Sequence, residues 1–229
     1  RVGDREVVTT GPFHTAVVCG LTPGTEYGLS VDGADPHLPL PPTVRTLEPP
    51  PGELLSTVAT ANDVHFGETE AGLLGQDPDE LGPVFRSEPG EEPYPEVMNR
   101  AAVSEIAALD PDAVIVKGDL TNAGRPEEYQ AFLDGYGVLG DRMHHVRGNH
   151  DAMTDPELGA DIAPFAVEIP GVTLAVLDTV IPGDDVGRVD RTQLDWLDAL
   201  ATESATPVLV FGHHHPWDPE SDERSERFF

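Results

Sequence analysis

The hydrophobic pattern changes in kind about a quarter of the way along the chain. Three stretches within residues 7–48, FHTAVVCGL, TEYGLSVDG and PTVRTLEP, alternate with the period of a β-strand. From residue 54 onward, short apolar runs alternate instead with segments of helical period. The change follows a proline-rich passage that ends in PPPG (49–52). We therefore predict a semi-rigid boundary near 50–53 and two parts, residues 1–50 and residues 51–229.

The first part is predicted to be a small all-β segment. LTPG (21–24) is a Pro-Gly turn, and Tyr27 follows it within a strand whose alternate residues are apolar. The stretch LTPGTEYGLSV resembles the later strands of a fibronectin type III-like sandwich, in which such a tyrosine bonds to backbone upstream. Only about half of such a domain is present. The alternative is a β-hairpin extension without a separate identity.

The second part is predicted to alternate strands with helices. The strands are LLSTVATA, DAVIVKG, RMHHVRG, VTLAVLD and TPVLVFG, and the helices are residues 95–109, RPEEYQAFLDGY and RTQLDWLDAL. The first helix is predicted to bury a face made of Met98, Ala102, Ile106 and Leu109. The runs AVIV and VLVF do not alternate, which predicts strands covered on both faces. This order indicates a layered α/β domain.

Charge and cysteine content exclude several classes of protein. The chain has 13 Lys and Arg against 42 Asp and Glu, a formal charge of −29, which disfavours binding to nucleic acid or anionic membranes. The single cysteine, Cys19, excludes an intrachain disulfide framework and a cysteine-based zinc site. No apolar run is long enough for a transmembrane helix, and no signal peptide is visible. We expect a cytoplasmic protein, or a secreted one if a signal preceded Arg1.

Unusual polar residues follow four of the predicted strands. They are Asp63 and His65, Asp119, then Asn149, His150 and Asp151, and finally His213, His214 and His215. The carboxyl ends of strands in an open α/β sheet are where ligands bind. Each group is weak evidence alone, since polar residues are common at strand ends, but their order and spacing together are informative. Carboxylate, imidazole and amide oxygen are the ligands of a two-metal site, and Asp119, which stands alone, is the natural bridge. By contrast, His144 and His145 lie inside a predicted strand and are interpreted as structural.

These residues resemble a known family. NDVHFG, GDLTN, RGNHD and GHHHPW look like the first four motifs of the calcineurin-like metallophosphoesterases, over about residues 54–217, with most similarity to the bacterial cyclic-nucleotide and glycerophosphodiesterase-like branch. The resemblance implies an α/β fold, a four-layer α/β/β/α sandwich with the metals at the sheet ends. It also implies hydrolysis of phosphomonoesters or phosphodiesters by metal-activated water at a binuclear centre, and the acidic charge favours small substrates. The alternative is a non-catalytic binding or scaffold protein with a degenerate phosphoesterase domain.

The resemblance also implies a role for each residue at the strand ends. Asp63 and His65 would bind the first metal and Asp119 would bridge. Asn149 and His213 would bind the second metal, with His214 as the alternate ligand. His150 and Asp151 form the catalytic pair: His150 would contact the phosphate and protonate the leaving oxygen, and Asp151 would orient the turn.

Two features depart from the family pattern. The family's later Gly-His-x-His motif, which supplies two more histidine ligands, is absent up to Phe229, so we expect a fragment truncated at its C-terminal end. Asn122 stands where the purple acid phosphatase branch has a tyrosine, so an iron–tyrosinate centre is not expected and manganese, iron or zinc remain open. Residues 67–94 and the surroundings of Trp217 are expected to line the substrate pocket.

Overall fold

The computed structural model describes residues 1–10, 15–33, 40–71 and 85–215. It divides into two compact units, Arg1–Glu53 and Leu54–Phe229. The division comes directly after the PPPG passage. Proline lacks a backbone N–H and cannot donate to a sheet, so this stretch joins neither unit's ladder.

The first unit contains a small antiparallel pair of strands. Strand β1 (Glu26–Gly28) pairs with β2 (Thr43–Arg45). The backbone N–H of Thr22 donates to the Tyr27 hydroxyl at 2.7 Å, which is an upstream backbone contact of the kind predicted for this tyrosine. The strand predicted from FHTAVVCGL is wrong in its described part, because residues 15–21 form no strand and Val17 is 78% exposed. An alternating pattern alone does not make a strand, since pairing and burial supply its stability.

The second unit contains the alternating elements predicted from the sequence. Its described strands are β3 (Val58–Ala61), β4 (Glu70–Ala71), β5 (Phe85–Arg86), β6 (Ala113–Lys117), β7 (Met143–Val146), β8 (Phe165–Ile169), β9 (Val172–Val176) and β10 (Val208–Phe211). Its described helices are α1 (Tyr94–Leu109), α2 (Pro126–Tyr136) and α3 (Arg191–Glu203), with short 3-10 turns at Gly137–Arg142 and His150–Ala152.

Two three-stranded sheets pack face to face. The first has the order β3-β6-β7, all parallel, and the second has the order β10-β9-β8, with β9 parallel to β10 and antiparallel to β8. Val114 and Val116 of β6 pack in a cluster with α1 and α2, whereas Ala113 and Ile115 pack with β9. The prediction that AVIV is covered on both faces is therefore confirmed. These contacts therefore place the parallel sheet between a layer of helices and the mixed sheet.

Strand β10 differs from its prediction. Leu209 is 47% exposed and Val210 is 51% exposed, so VLVF is not covered on both faces within the described part of the chain. It pairs with β9 on one side and ends the order of its sheet. Strand β8 was not predicted. Its alternation is short and follows a loop, which gives a weak periodic signal.

The buried face of α1 agrees with the prediction at Ile106 and differs from it at Met98 and Leu109. Pro95, Asn99, Val103 and Ile106 are buried, whereas Met98 is 67% exposed. Asn99 can be buried because its amide donates a hydrogen bond to the Val64 carbonyl at 2.7 Å. Its side-chain oxygen accepts a hydrogen bond from the Tyr136 hydroxyl at 2.9 Å. A buried polar side chain that both donates and accepts hydrogen bonds costs little, so a polar residue can stand here in place of an apolar one.

His145 of β7 makes the fold sensitive to acid. Its Nε2 lies 2.8 Å from the Tyr129 hydroxyl, and burial, followed by the nearby His144, lowers its pKa to about 4. The folded state therefore keeps this imidazole neutral, while the unfolded chain takes up a proton below about pH 6.5. This group should remove about 3 kcal/mol of stability as the pH falls from 6.5 to 4.

Urea unfolding of the metal-free protein at several pH values measures this effect. His145→Gln should have a lower stability at pH 7 and a shallower loss between pH 6.5 and 4 than the wild type. An unchanged slope in the variant would assign the acid sensitivity to other groups.

Candidate metal centre

The first two predicted site segments are bonded together through their backbones. The N–H of Asp63 donates to the Gly118 carbonyl at 3.1 Å, and the N–H of His65 donates to the Asp119 carbonyl at 3.0 Å. The N–H of Phe66 likewise donates to the Leu120 carbonyl at 3.0 Å. Parallel pairing of β3 with β6 thus continues past the strand ends and fixes the spacing between their polar side chains.

Three of the predicted site residues have left-handed backbones. The φ angles are +54° at Asp63, +44° at His65 and +48° at Asp119, and the remaining described non-glycine residue of this kind is Asp110. This conformation costs an L-residue about 1–2 kcal/mol. It is held here by the hydrogen bonds between the two segments. Backbone strain of this kind clusters at functional sites, and here it turns three ligand-type side chains toward one place.

The Asp119 carboxylate lies among three imidazoles. It is 4% exposed, and its oxygens are 3.3 Å from His213 Nε2, 3.6 Å from His65 Nε2 and 3.9 Å from His150 Nε2. Two sets of donor atoms lie within 4.8 Å of one another, one from His65, Asp119 and His150 and one from Asp63, Asp119 and His213. Asp119 belongs to both sets, as a bridging ligand would.

The tautomer of His213 indicates that a cation fits here. Its Nδ1 lies 2.8 Å from the Lys117 carbonyl, which can only accept, so Nδ1 carries a proton and neutral His213 presents a lone pair at Nε2. That lone pair faces the Asn149 side-chain oxygen at 3.1 Å and an Asp119 oxygen at 3.3 Å. Three electron-rich atoms converge, and a cation between them relieves their repulsion. Ligands of one ion at metal–donor distances of about 2.1 Å lie at about this spacing.

His150 is held by the Asp119 carboxylate and by the backbone carbonyl of Asn122. Its N–H donates to Asp119 Oδ1 at 2.9 Å, and its Nδ1 lies 2.7 Å from the Asn122 carbonyl. The ring meets that of His65 edge to face, with centroids 4.6 Å apart. Because Nδ1 donates its N–H to this carbonyl, Nε2 is the ring nitrogen that is free to exchange a proton at the site.

Asp151, predicted as part of the catalytic pair, has a positioning role in this geometry. Its carboxylate is 1% exposed and accepts from the N–H groups of Leu120, Thr121 and Gly148 and from the Thr121 hydroxyl, at 2.6–3.1 Å. Burial raises the pKa of Asp151, although all four hydrogen bonds act to lower it. With both oxygens so engaged, it ties the loop after β6 to the loop after β7 and does not contact the centre.

The structure also separates the two histidines predicted as alternates. His214 Nδ1 lies 2.7 Å from the Thr179 hydroxyl, and the ring packs against Gly187. Its Nε2 is buried without a hydrogen-bond partner, and burial lowers its pKa. His214 is absent from both donor sets of the described residues, whereas His213 belongs to one. The assignment of His214 as the alternate ligand stays a prediction.

Glycine at position 118 leaves space for His213. A Cβ at Gly118, whose φ is +84°, would lie 2.7 Å from the His213 ring and 2.8 Å from the Gly148 Cα. Both the backbone conformation and the close approach therefore require glycine.

Sequence reasoning missed the connection between the two sheet ends. Arg147 directly follows β7, and Asp178 lies shortly after β9. Arg147 Nε donates to Asp178 Oδ2 at 2.9 Å, and Arg147 Nη2 lies 2.8 Å from the same oxygen. Both side chains are largely buried. Gln193 of α3 holds Asp178 through its backbone at 2.7 and 2.8 Å. An arginine directly before GNHD could have indicated a buried ion pair, but its partner, Asp178, lies 31 residues away in the sequence.

The family is decided by a comparison that covers most of the chain. Residues 56–228 match the model of the calcineurin-like phosphoesterases. The chain belongs to this family. A glycerophosphodiester phosphodiesterase from Enterobacter lignolyticus is 33% identical in an alignment 132 residues long that covers 52% of this chain and 48% of that protein. A cAMP/cGMP dual specificity phosphodiesterase from Mycobacterium tuberculosis is 33% identical in an alignment 124 residues long that covers 48% of this chain and 38% of that protein.

A solved structure shares the fold. A dimetal phosphatase from Danio rerio has a TM-score of 0.54 at 16% sequence identity and covers 70% of each chain. The chain spans about half the length of the curated relatives, or less. Trp217 and residues 72–84 of the predicted pocket loop lie outside the described residues. Within the described part, no helix combines the length and apolar character needed to cross a membrane.

Proposed function

We propose that this calcineurin-like phosphoesterase hydrolyses phosphomonoesters or phosphodiesters at a two-metal centre. The observation that carries the proposal is the Asp119 carboxylate, which is shared by two sets of donor atoms within 4.8 Å. The convergence of these donors, at the cost of three left-handed residues, favours an enzyme over a scaffold with a degenerate site.

The two sets share Asp119 and group His65 with His150 and Asp63 with His213, and we assign the ligand roles as the family resemblance implies. Asp63 and His65 would hold the first ion, Asn149 and His213 the second, and Asp119 both. Oxygen and imidazole donors suit manganese, iron or zinc. When bound, the ions supply Lewis acidity toward the phosphoryl group and toward water.

The protein's own contribution to the chemistry comes mainly from His150. Protonated at Nε2, it would donate that proton to the ester oxygen as the P–O bond breaks, while Nδ1 stays bonded to the Asn122 carbonyl. Water attacks phosphorus in line, so no covalent enzyme intermediate forms. The Asp151 hydrogen bonds keep His150 in place by fixing the turn in which it lies.

His150→Ala should preserve the metals but slow esters with poor leaving groups most. We expect about a 100-fold loss in kcat for a diester that releases methanol, and less than about tenfold for one that releases p-nitrophenol, because p-nitrophenolate leaves without a proton. Metal content by mass spectrometry and turnover of the two esters measure this. Equal losses on both would remove His150 as the proton donor.

Small phosphodiesters are the substrate class we favour. The names of the relatives above refer to glycerophosphodiesters and cyclic nucleotides. A formal charge of −29 would repel polyanionic substrates. We also infer that α3 supplies the outer layer of a four-layer sandwich, that the first unit is a partial fibronectin type III-like segment, and that the protein is cytoplasmic.

A phosphoester panel with metal reconstitution tests the proposal. Protein stripped with a chelator and reloaded with manganese, iron or zinc should hydrolyse bis-p-nitrophenyl phosphate with about two ions bound per chain. Metal binding at this stoichiometry without hydrolysis of any mono- or diester would overturn the assignment as an enzyme.

A further inference from the structure

A cavity of about 290 Å³ lies beside the candidate metal centre. Asp63 and His65 line it, so it opens directly beside the first set of predicted ligands. The end of β3 and one side of α1 form its walls. The remaining lining residues are Ala61, Asn62, Val64, Glu68, Tyr94, Pro95, Met98, Asn99, Ala102 and Tyr136. Its volume is that of a pocket for a small organic group.

Of the polar groups that line this cavity, Asn99 is engaged by protein partners, whereas His65 Nδ1 is buried without a hydrogen-bond partner. The Asn99 amide is engaged with the Val64 carbonyl and the Tyr136 hydroxyl at 2.7 and 2.9 Å. Pro95, Met98 and other apolar side chains make up most of the rest. A ligand here therefore gains affinity from apolar contact with these side chains.

The charge of the lining is negative. Its ionisable acids are Asp63 and Glu68, and none of the lining residues is a lysine or arginine. In the proposed centre Asp63 binds metal, which leaves Glu68 to face a ligand. Glu68 accepts the Tyr94 hydroxyl, and burial together with this contact raises the pKa of Tyr94, so the ring remains a neutral phenol. A carboxylate beside aromatic rings and a thioether attracts organic cations and repels anions.

We propose that this cavity binds the organic substituent of a phosphodiester and prefers one that carries an alkylammonium group. The assignment rests on the proposed function, because the phosphate would lie at the centre that Asp63 and His65 adjoin. It adds a recognition role for Glu68, Tyr94 and Met98, which have no role in the chemistry. Phosphodiesters whose second substituent bears an anionic group would be poor ligands.

A matched pair of phosphodiesters tests the charge preference. Methyl phosphocholine and methyl 3,3-dimethylbutyl phosphate have the same shape and differ by a quaternary nitrogen in place of a carbon. Calorimetric titration of the metal-loaded chain should give about tenfold tighter binding of the choline ester. Glu68→Gln, which keeps an acceptor for Tyr94, should reduce this ratio to near one without changing the affinity for the dimethylbutyl ester, whose substituent is uncharged.

Two further variants complete the test. Glu70→Gln removes the same charge two residues away, where Glu70 pairs with Arg86 and does not line the cavity, and should keep the tenfold ratio. Met98→Lys places a cation at the wall on an exposed helix position and should reverse the preference. Equal affinities in the wild type, or an unchanged ratio in Glu68→Gln, would overturn the proposal.

Binding and turnover separate this inference from the proposed function. Selective binding of the choline ester without hydrolysis of any ester would support the cavity assignment and contradict the enzyme. Hydrolysis of bis-p-nitrophenyl phosphate without discrimination between the matched pair would do the reverse.

Discussion

Asp119→Asn is expected to abolish both metal binding and hydrolysis. The carboxylate belongs to both donor sets, so its loss weakens two ion sites at once. The amide still accepts a hydrogen bond, and the His150 N–H contact at 2.9 Å can remain, which keeps the fold intact. We expect a fall in kcat/KM of at least about 10³-fold, equivalent to about 4 kcal/mol of transition-state stabilisation.

Asp110→Asn is the matched control. Asp110 also has a left-handed backbone, with φ +49°, but it lies at the end of α1 and pairs with Arg142 at 2.6 Å. Any general cost of placing asparagine in this conformation appears in both variants. Metal content by mass spectrometry and hydrolysis of bis-p-nitrophenyl phosphate should fall in Asp119→Asn alone. Two bound ions with full activity in that variant would end the bridging assignment.

Gly148→Ala should remove the site by steric means. A Cβ there would lie 2.2 Å from both the backbone nitrogen and Oδ1 of Asp119 and 2.9 Å from His213 Nε2. These atoms are buried and fixed, so the two loops must move apart. We expect a loss of about 3 kcal/mol of stability, which is a fall in Tm of about 10 °C, together with loss of bound metal.

Gly137→Ala makes the same change without the clash. Gly137 has φ −61°, and nothing lies within 4 Å of a Cβ built there, so the Tm of this variant should hardly change. Calorimetry and metal analysis of the two variants measure the difference. A Gly148→Ala protein that melts and binds metal like the wild type would show that the loops yield freely at this contact.

The order of elements could be predicted because the signals are local. AVIV predicts a strand covered on both faces, and β6 is buried by helices on one side and by β9 on the other. Polar residues directly after β3, β6, β7 and β10 predicted a site at the strand ends, and Asp63, Asp119 and His213 do meet there. In a parallel sheet, strand direction alone brings such ends to one edge.

The predictions were wrong where a residue distant in the sequence decides whether a side chain is buried. The predicted face of α1 was right at Ile106 but wrong at Met98. Asn99 is buried instead because it bonds to Val64 and Tyr136, 35 and 37 residues away. VLVF matched a covered strand in pattern, but β10 ends the order of its sheet in the described structure. A hydrophobic pattern reports what a residue can bury and not what lies opposite it.

The sequence by itself determined the α/β class, the strand ends that carry the site, and the residue types able to bind two cations. Only the tertiary structure decided which atoms converge. It turned His213 and not His214 toward Asp119, engaged the Asp151 carboxylate with backbone donors, and placed Glu68 on a cavity wall. The physical reason is that strand propensity and side-chain chemistry depend on a few neighbouring residues. Ligand geometry depends instead on backbone angles and close approaches, which are set by segments far apart in the chain.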